Sequence, residues 1–212
     1  MPMNEFSLQH TDQRRSAIMV CAAAMIALAV AMGVGRFAFT PLFPLMVRDG
    51  LLDAQSGALL AGSNYLGYLV GAVLASRLTI RPAPLLAFGL VATVAVTAGV
   101  GLASSVAAWT ILRFVAGILS AWTLVATTAW GLGWLASLGR PHLAGAVFAG
   151  VGLGIAAAGL FCLVMPGFES SALAMWVELA GLAALAISVP LLASRRLPAP
   201  PAMPAAAPSL QP

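Results

Sequence analysis

The chain has 212 residues, of which 61% are hydrophobic and only 8% are charged, and its mean hydropathy is +1.01. Soluble domains carry roughly 25% charged residues, so this composition excludes an ordinary soluble globular protein and predicts an integral membrane protein. The net charge of +4 comes from ten arginines and no lysine, so the placement of the arginines matters more than their sum.

Six apolar segments follow a short polar stretch, and each is close to the ~20 residues that a spanning helix needs. A single segment satisfies its backbone in lipid only as a helix, so we predict an all-α membrane protein with six transmembrane helices. Residues 1–15 are expected to form a solvated tail, 16–196 the helical bundle, and 197–212, rich in Pro and Ala, a disordered tail. The predicted helices are Ser16–Val47, Gln55–Ser76, Pro82–Ser104, Ala107–Leu135, Leu143–Met165 and Ser171–Ala193.

Arginine placement predicts the orientation of the bundle. Seven arginines fall on the N-terminal side of the membrane, and only Arg48 falls on the other side, near Asp49, Asp53 and Glu169. Such a bias is typical of cytoplasmic segments. We therefore expect a multi-pass membrane protein with both termini in the cytoplasm.

Small residues recur every four positions in three of the helices, as in Ser63-x3-Gly67-x3-Gly71-x3-Ala75. This spacing makes a groove in which another helix backbone can approach closely, although Ala and Gly are abundant throughout the chain. No strand precedes the Gly-x-Gly pairs, so they do not predict a nucleotide loop. The glycines that we expect to pack against other helices are Gly67, Gly71, Gly117, Gly150 and Gly154.

Polar side chains on four helices fall at one depth, roughly 10–20 Å below the outer ends of the helices. Charged groups so deep in an apolar segment are costly, and they mark binding or coupling sites. Two arginines against one carboxylate leave a positive layer, which an anionic solute or a proton would balance, and we expect Arg113 to pair with Glu178. The predicted substrate-binding or coupling residues are Arg36, Thr40, Asn64, Tyr65, Tyr68, Arg113 and Glu178.

Each member of this layer also has a structural alternative. Arg36 and Arg113 could extend to the outer interface, Glu178 could lie protonated at a helix contact, and the tyrosines could belong to an aromatic belt. Asn64 and Tyr68 are four residues apart and share one helix face, which favours a joint role.

Two prolines follow Arg36 in the first helix. Pro41 and Pro44 each remove a backbone donor and crowd the preceding turn, so the outer end of this helix should kink or unwind. The freed carbonyls would suit a gating element, and the alternative is a helix that simply ends at the interface.

Three stretches carry a family resemblance: Gly33–Leu42, Ser63–Gly71 and Phe148–Ile155. Together they resemble the YbfB/YjiJ-like branch of the major facilitator superfamily. The resemblance implies one half of that fold, a six-helix 3+3 inverted repeat. In the fourth helix Arg113 and Gly117 match the superfamily pattern Arg-x-x-x-Gly, whose arginine is implicated in proton coupling in relatives.

The loop after the second helix departs from the superfamily pattern. Ser76 stands where an acidic residue is usual, and Arg81 stands alone near the end of the loop. The gating salt bridge that this loop forms in relatives is therefore not carried over to this chain.

Members of the superfamily are similar to twelve-helix transporters in which two six-helix halves hold the substrate between them. The resemblance therefore implies a transporter half that moves a small solute across the bacterial inner membrane by alternating access, as a secondary active carrier. A single copy is expected to be inactive, because the small-residue faces of the second and fifth helices would meet lipid, and an active form would pair with a second copy or another half. The alternative is a truncated, non-transporting membrane protein or scaffold.

The sequence offers little for an enzyme. It contains only two histidines, His10 and His142, and no nucleophile-elbow or metal-ligand pattern. Cys21 and Cys162 fall inside apolar runs and read as small buried hydrophobes. We expect no cofactor, no metal and no nucleic acid; the expected partners are membrane lipid, a small solute for which an anion is one candidate, and a coupling proton.

Overall fold

The computed structural model describes residues 3–77, 80–165, 171–197 and 199, with side chains from residue 12 onward. Glu169 and most of the predicted C-terminal tail lie outside these ranges. The described residues form helices joined by short connections, with no strand among them, and six of the helices are long and apolar enough to cross a membrane. The predicted all-α architecture with six spans is confirmed.

The first span is built from three consecutive elements: α1 (Met3–Leu28), a π-helix (Ala29–Phe37) and α2 (Phe39–Arg48). Helix α1 thus begins within the polar stretch 1–15. A 3₁₀ turn, Pro141–Leu143, precedes the fifth span. The remaining helices are α3 (Ala54–Ala75), α4 (Pro82–Leu102), α5 (Val106–Ser137), α6 (Ala144–Val164), and α7 (Ala172–Ala186) with α8 (Ser188–Arg196) as the sixth span.

The irregular part of the first span lies before its prolines. Helix α2 continues through Pro41 and Pro44, so the predicted unwinding of the outer end is not found. Pro41 is the third residue of α2, in the first turn, where a backbone N–H has no partner within the helix and its loss costs little. The first bond of this turn runs from the Leu42 N–H to the Ala38 carbonyl, at 3.2 Å.

Helix α5 is the centre of the bundle and packs against α3, α4 and the first span. Four tryptophans on α5 donate their indole N–H groups to carbonyls of other segments. The bonds are Trp109 to Val100 (3.0 Å), Trp122 to Gly71 (3.1 Å), Trp130 to Leu197 (2.7 Å) and Trp134 to Leu197 (3.2 Å). The fourth span is therefore tied to the second, the third and the end of the sixth.

Glycines bring two helix pairs into backbone contact. Helix α3 packs on α5, and helix α6 packs on the first span. In each pair, two glycines spaced four residues apart lie against two backbone positions of the partner helix that have the same spacing. A Cβ atom added at these glycines would meet the facing backbone: Gly67 on Phe114, Gly71 on Ile118, Gly150 on Met25 and Gly154 on Ala29. The contact of spans two and four thus repeats the contact of spans five and one, as a 3+3 inverted repeat requires.

The expectation that these glycine faces would meet lipid in a single chain is wrong. Gly67, Gly71, Gly150 and Gly154 are all buried inside the six-helix bundle. Gly117 lies in the same way against the backbone of α3 at Asn64. The opposite faces of α3 and α6 carry exposed leucines and valines, and they are the faces available to lipid or to a partner.

The carboxylate of Asp49 joins the first and sixth spans at the end of the bundle where α2 stops. It accepts a 2.7 Å hydrogen bond from the backbone N–H of Ala172, in the first turn of α7. It also forms an ion pair with the guanidinium of Arg48, at 2.8 Å. The hydrogen bond from Arg48 is the main cause that lowers the pKa of Asp49, against the opposing effect of burial, and the bond from Ala172 adds to it.

We expect Asp49→Ala to destabilise the bundle by about 1 kcal/mol, the usual value of a helix-capping side chain. Because the pKa of Asp49 is lowered by folding, this stabilisation is present above the ordinary aspartate pKa of about 3.9 and is lost as the pH falls through the lower, folded value. The destabilisation is measured by thermal unfolding of the wild type and Asp49→Ala at pH 7 and pH 3, with Gln55→Ala as an exposed control. An equal destabilisation at both pH values would contradict the role of the charge.

Candidate functional site

Six of the seven polar residues predicted for the midplane layer lie together, where the junction of the π-helix and α2 meets α3 and α5. The first span contributes Arg36 and Thr40, and α5 contributes Arg113. Helix α3 contributes Asn64, Tyr65 and Tyr68. Five of the six line one cavity, and Tyr68 contacts Arg36.

The guanidinium of Arg113 is bound to the backbone of the first span. Its side chain is 3% exposed, and its two terminal nitrogens donate to the carbonyls of Gly35, at 3.1 Å, and Arg36, at 2.8 Å. Asn64, also buried, donates from Nδ2 to the carbonyl of Arg113 at 2.8 Å. One continuous set of hydrogen bonds thus connects the first, second and fourth spans.

The π-helix explains why these carbonyls accept bonds from another helix. In the i→i+5 pattern of a π-helix, the carbonyl of Arg36 would take its bond from residue 41, which is a proline and has no N–H. Helix α5 supplies the missing donor and two further bonds: Arg113 serves the carbonyls of Arg36 and Gly35, and the Ser120 hydroxyl serves that of Ala31, at 3.0 Å. Side chains of the fourth span therefore stabilise the wide turn of the first.

The guanidinium of Arg36 is surrounded by aromatic rings rather than by acids. Its central carbon lies 3.8 Å from the centroid of Tyr68 and 5.3 Å from those of Tyr65 and Phe37. Cation–π contacts of this kind stabilise the charge by about 0.5–2 kcal/mol but use the face of the guanidinium, not its N–H edge. Within the described ranges no carboxylate pairs with Arg36, and its buried Nε atom has no hydrogen-bond partner.

The predicted ion pair of Arg113 and Glu178 is not formed. Arg113 is held by two backbone carbonyls, whereas Glu178 lies on an exposed position of α7. The prediction placed both residues at one depth but could not place them on facing sides of their helices. Glu178 is thus the one predicted residue that lies apart from the cluster.

A cavity of about 30 Å³ opens at the cluster. That volume holds one or two water molecules, so the site as it stands is smaller than an organic solute. Three of its lining residues, Phe37, Phe39 and Ala61, were not predicted from the sequence. The two phenylalanines that follow Arg36 in the sequence were the available signal, since aromatic rings stabilise a nearby cation. The lining consists of Arg36, Phe37, Phe39, Thr40, Ala61, Asn64, Tyr65 and Arg113.

The chemistry of this arrangement is that of a cation with free donors. Arg113 adds a second positive charge behind Arg36, but its terminal nitrogens are already bonded. Across the described part of the chain, no group of three or more His, Cys, Asp or Glu side chains could hold a metal ion. What the cluster offers to a ligand is one guanidinium edge, the Thr40 hydroxyl and the phenol of Tyr65.

Comparison with known families agrees with this architecture. Residues 28–212 match the profile of the family described as "Uncharacterised MFS-type transporter YbfB". The comparison with curated proteins gives no match. The match to the family takes in most of the chain, including all the elements that build the cluster. The chain therefore belongs to this family of transporters of the major facilitator superfamily.

Proposed function

We propose that the chain is a six-helix transporter half that moves a small solute by alternating access, with the solute bound against the polar cluster at Arg36. The observation that carries this proposal is the free guanidinium edge of Arg36. It lies about twelve residues, roughly 18 Å, below the outer end of the first span, where an unpaired charge is costly unless it serves a ligand.

A second six-helix unit completes the site in this proposal. Arg36 is only half-buried, and Thr40 and Tyr65 are exposed on the surface of the bundle. In a bilayer this face would put a cation against lipid, whereas a second copy or a separate half would enclose it around the solute. The exposed position of Glu178 on α7 keeps it as the candidate carrier of a coupling proton, apart from the solute.

The orientation in this proposal follows the arginines. Arg14, Arg15, Arg77, Arg81 and Arg140 are exposed at one end of the helices, as are the two arginines that close α8. Since cytoplasmic segments of inner-membrane proteins are enriched in arginine, both termini lie in the cytoplasm.

Reconstitution in proteoliposomes tests the function. Uptake is measured across a panel of organic anions, organic cations and drugs, and then for the Arg36→Gln variant. Losing charge-assisted hydrogen bonds of about 1.5–3 kcal/mol should reduce uptake roughly 10- to 100-fold. Arg15→Gln removes the same charge from an exposed position and should transport normally.

Two results would contradict the proposal. Normal uptake by Arg36→Gln would remove Arg36 from the site. A chain that moves no member of the panel and is monomeric by membrane-compatible sizing would instead support the non-transporting alternative.

A further inference from the structure

A second, wider cavity adjoins the cluster on its outer side. Its volume is about 360 Å³, near the lower limit of sites that hold small organic molecules. It shares Phe39, Thr40 and Ala61 with the small cavity at Arg36, so the two spaces adjoin along the groove between α2 and α3. The wider cavity is lined by Phe39, Thr40, Phe43, Ala54, Gly57, Ala58 and Ala61.

The two cavities have opposite chemistry. Among the described residues that line the wider cavity, only Thr40 has a polar side chain, whereas the small cavity contains the two arginines and Asn64. The rings of Phe39 and Phe43 stand 5.6 Å apart at an angle of 40°, which forms one aromatic wall of the wider cavity. A ligand that fills both spaces therefore needs a charged end and an apolar body.

The number of free donors limits the charged end. Both terminal nitrogens of Arg113 donate to backbone carbonyls and its side chain is 3% exposed, so the half-buried Arg36 is the more accessible of the two guanidinium groups. A guanidinium edge binds a carboxylate through two parallel hydrogen bonds, and the Thr40 hydroxyl beside it can add a third. One such edge fits a single carboxylate better than an anion that needs donors on several sides.

We propose that this site binds a monocarboxylate with an apolar body, its carboxylate on Arg36 and its apolar part in the groove lined by Phe39, Phe43 and Ala58. The inference rests on the proposed transport function, since it names the class of solute for the same site. It excludes inorganic anions, which have nothing to place in the groove, and neutral aromatic compounds, which leave Arg36 without a counter-charge.

Equilibrium binding of radiolabelled benzoate to the full chain in lipid nanodiscs tests the inference, with empty nanodiscs as the blank. We expect saturable binding of benzoate. The competitors acetate, inorganic phosphate and benzamide should each have an affinity at least about tenfold lower than that of unlabelled benzoate. Arg36→Gln should abolish the saturable binding. Ala58→Trp, which fills the groove and leaves Arg36 intact, should reduce the affinity for benzoate to that for acetate.

The matched control is Ala149→Trp, which places the same side chain on an exposed position of α6 and should bind benzoate like the wild type. Three results would each overturn the inference. Phosphate could displace benzoate as well as unlabelled benzoate does, Ala58→Trp could bind benzoate with unchanged affinity, or the wild type could show no saturable binding. Arg36-dependent flux of another solute without benzoate binding would overturn this inference alone. Benzoate binding without any flux would support it and overturn the transport function.

Discussion

Replacing Gly150 by alanine is expected to lower the melting temperature of the purified chain by about 2–12 °C. The added methyl group would meet the backbone carbonyl of Met25, which cannot move as a side chain end can, so α6 and the first span must separate. Overpacking of this kind costs typically 1–3 kcal/mol, and 1 kcal/mol corresponds to roughly 2–4 °C for a chain of this size. Helix contacts in a membrane depend on close packing, so the separation is not offset by a hydrophobic gain.

The control for this change lies two residues along the same helix. A Cβ atom at Gly152 has open space within 4 Å, so Gly152→Ala should be neutral or stabilising by up to about 1 kcal/mol, the helix preference of alanine over glycine. The same contrast is expected on α3 between Gly67→Ala, which meets the Phe114 carbonyl, and Gly62→Ala, which meets nothing. Equal melting temperatures for Gly150→Ala and Gly152→Ala would show that the helices are not in backbone contact.

Replacing Arg113 by alanine is expected to lower stability and abolish transport. The carbonyls of Gly35 and Arg36 would lose their donors, and a buried carbonyl without a partner costs about 1–3 kcal/mol. The π-helix that presents Arg36 would then change shape, and with it the position of the Arg36 side chain. Melting temperature and proteoliposome uptake, measured on the same preparation, give the two effects.

Arg113→Lys separates geometry from charge. Lysine keeps the positive charge but replaces two donor nitrogens by one, so we expect partial recovery of stability and little recovery of uptake. Full uptake by Arg113→Lys would show that the charge alone is needed and that the two carbonyl bonds are not.

The number and type of the spans could be predicted because lipid allows a single apolar segment only one backbone form, whereas the first helix begins at Met3 and not at the predicted Ser16. The polar cluster was also predicted as a set, since depth along a helix follows from residue count. The side of the helix on which a residue lies was harder to predict. Glu178 lies at the predicted depth but on a face of its helix that points away from the cluster. The π-helix at Ala29–Phe37 could not be predicted either, because the residue count assumes α-helical geometry throughout.

The small-residue spacing shows a related limit. A repeat of four positions predicts that some backbone will lie against the ridge, but not which one. The ridge of Gly67 and Gly71 could have faced another subunit, and the structure places Phe114 and Ile118 of α5 there instead. Choosing between these partners requires the packing of all six helices at once.

The tryptophans of α5 give the protein a built-in optical reporter. Four of its five tryptophans lie on that helix, and each donates its indole N–H to a carbonyl of another segment. The fifth, Trp176 on α7, is buried with no hydrogen-bond partner for its indole nitrogen. A Trp176→Phe variant would therefore emit from the fourth span alone, so that any movement of its neighbours could be followed by intrinsic fluorescence without a label.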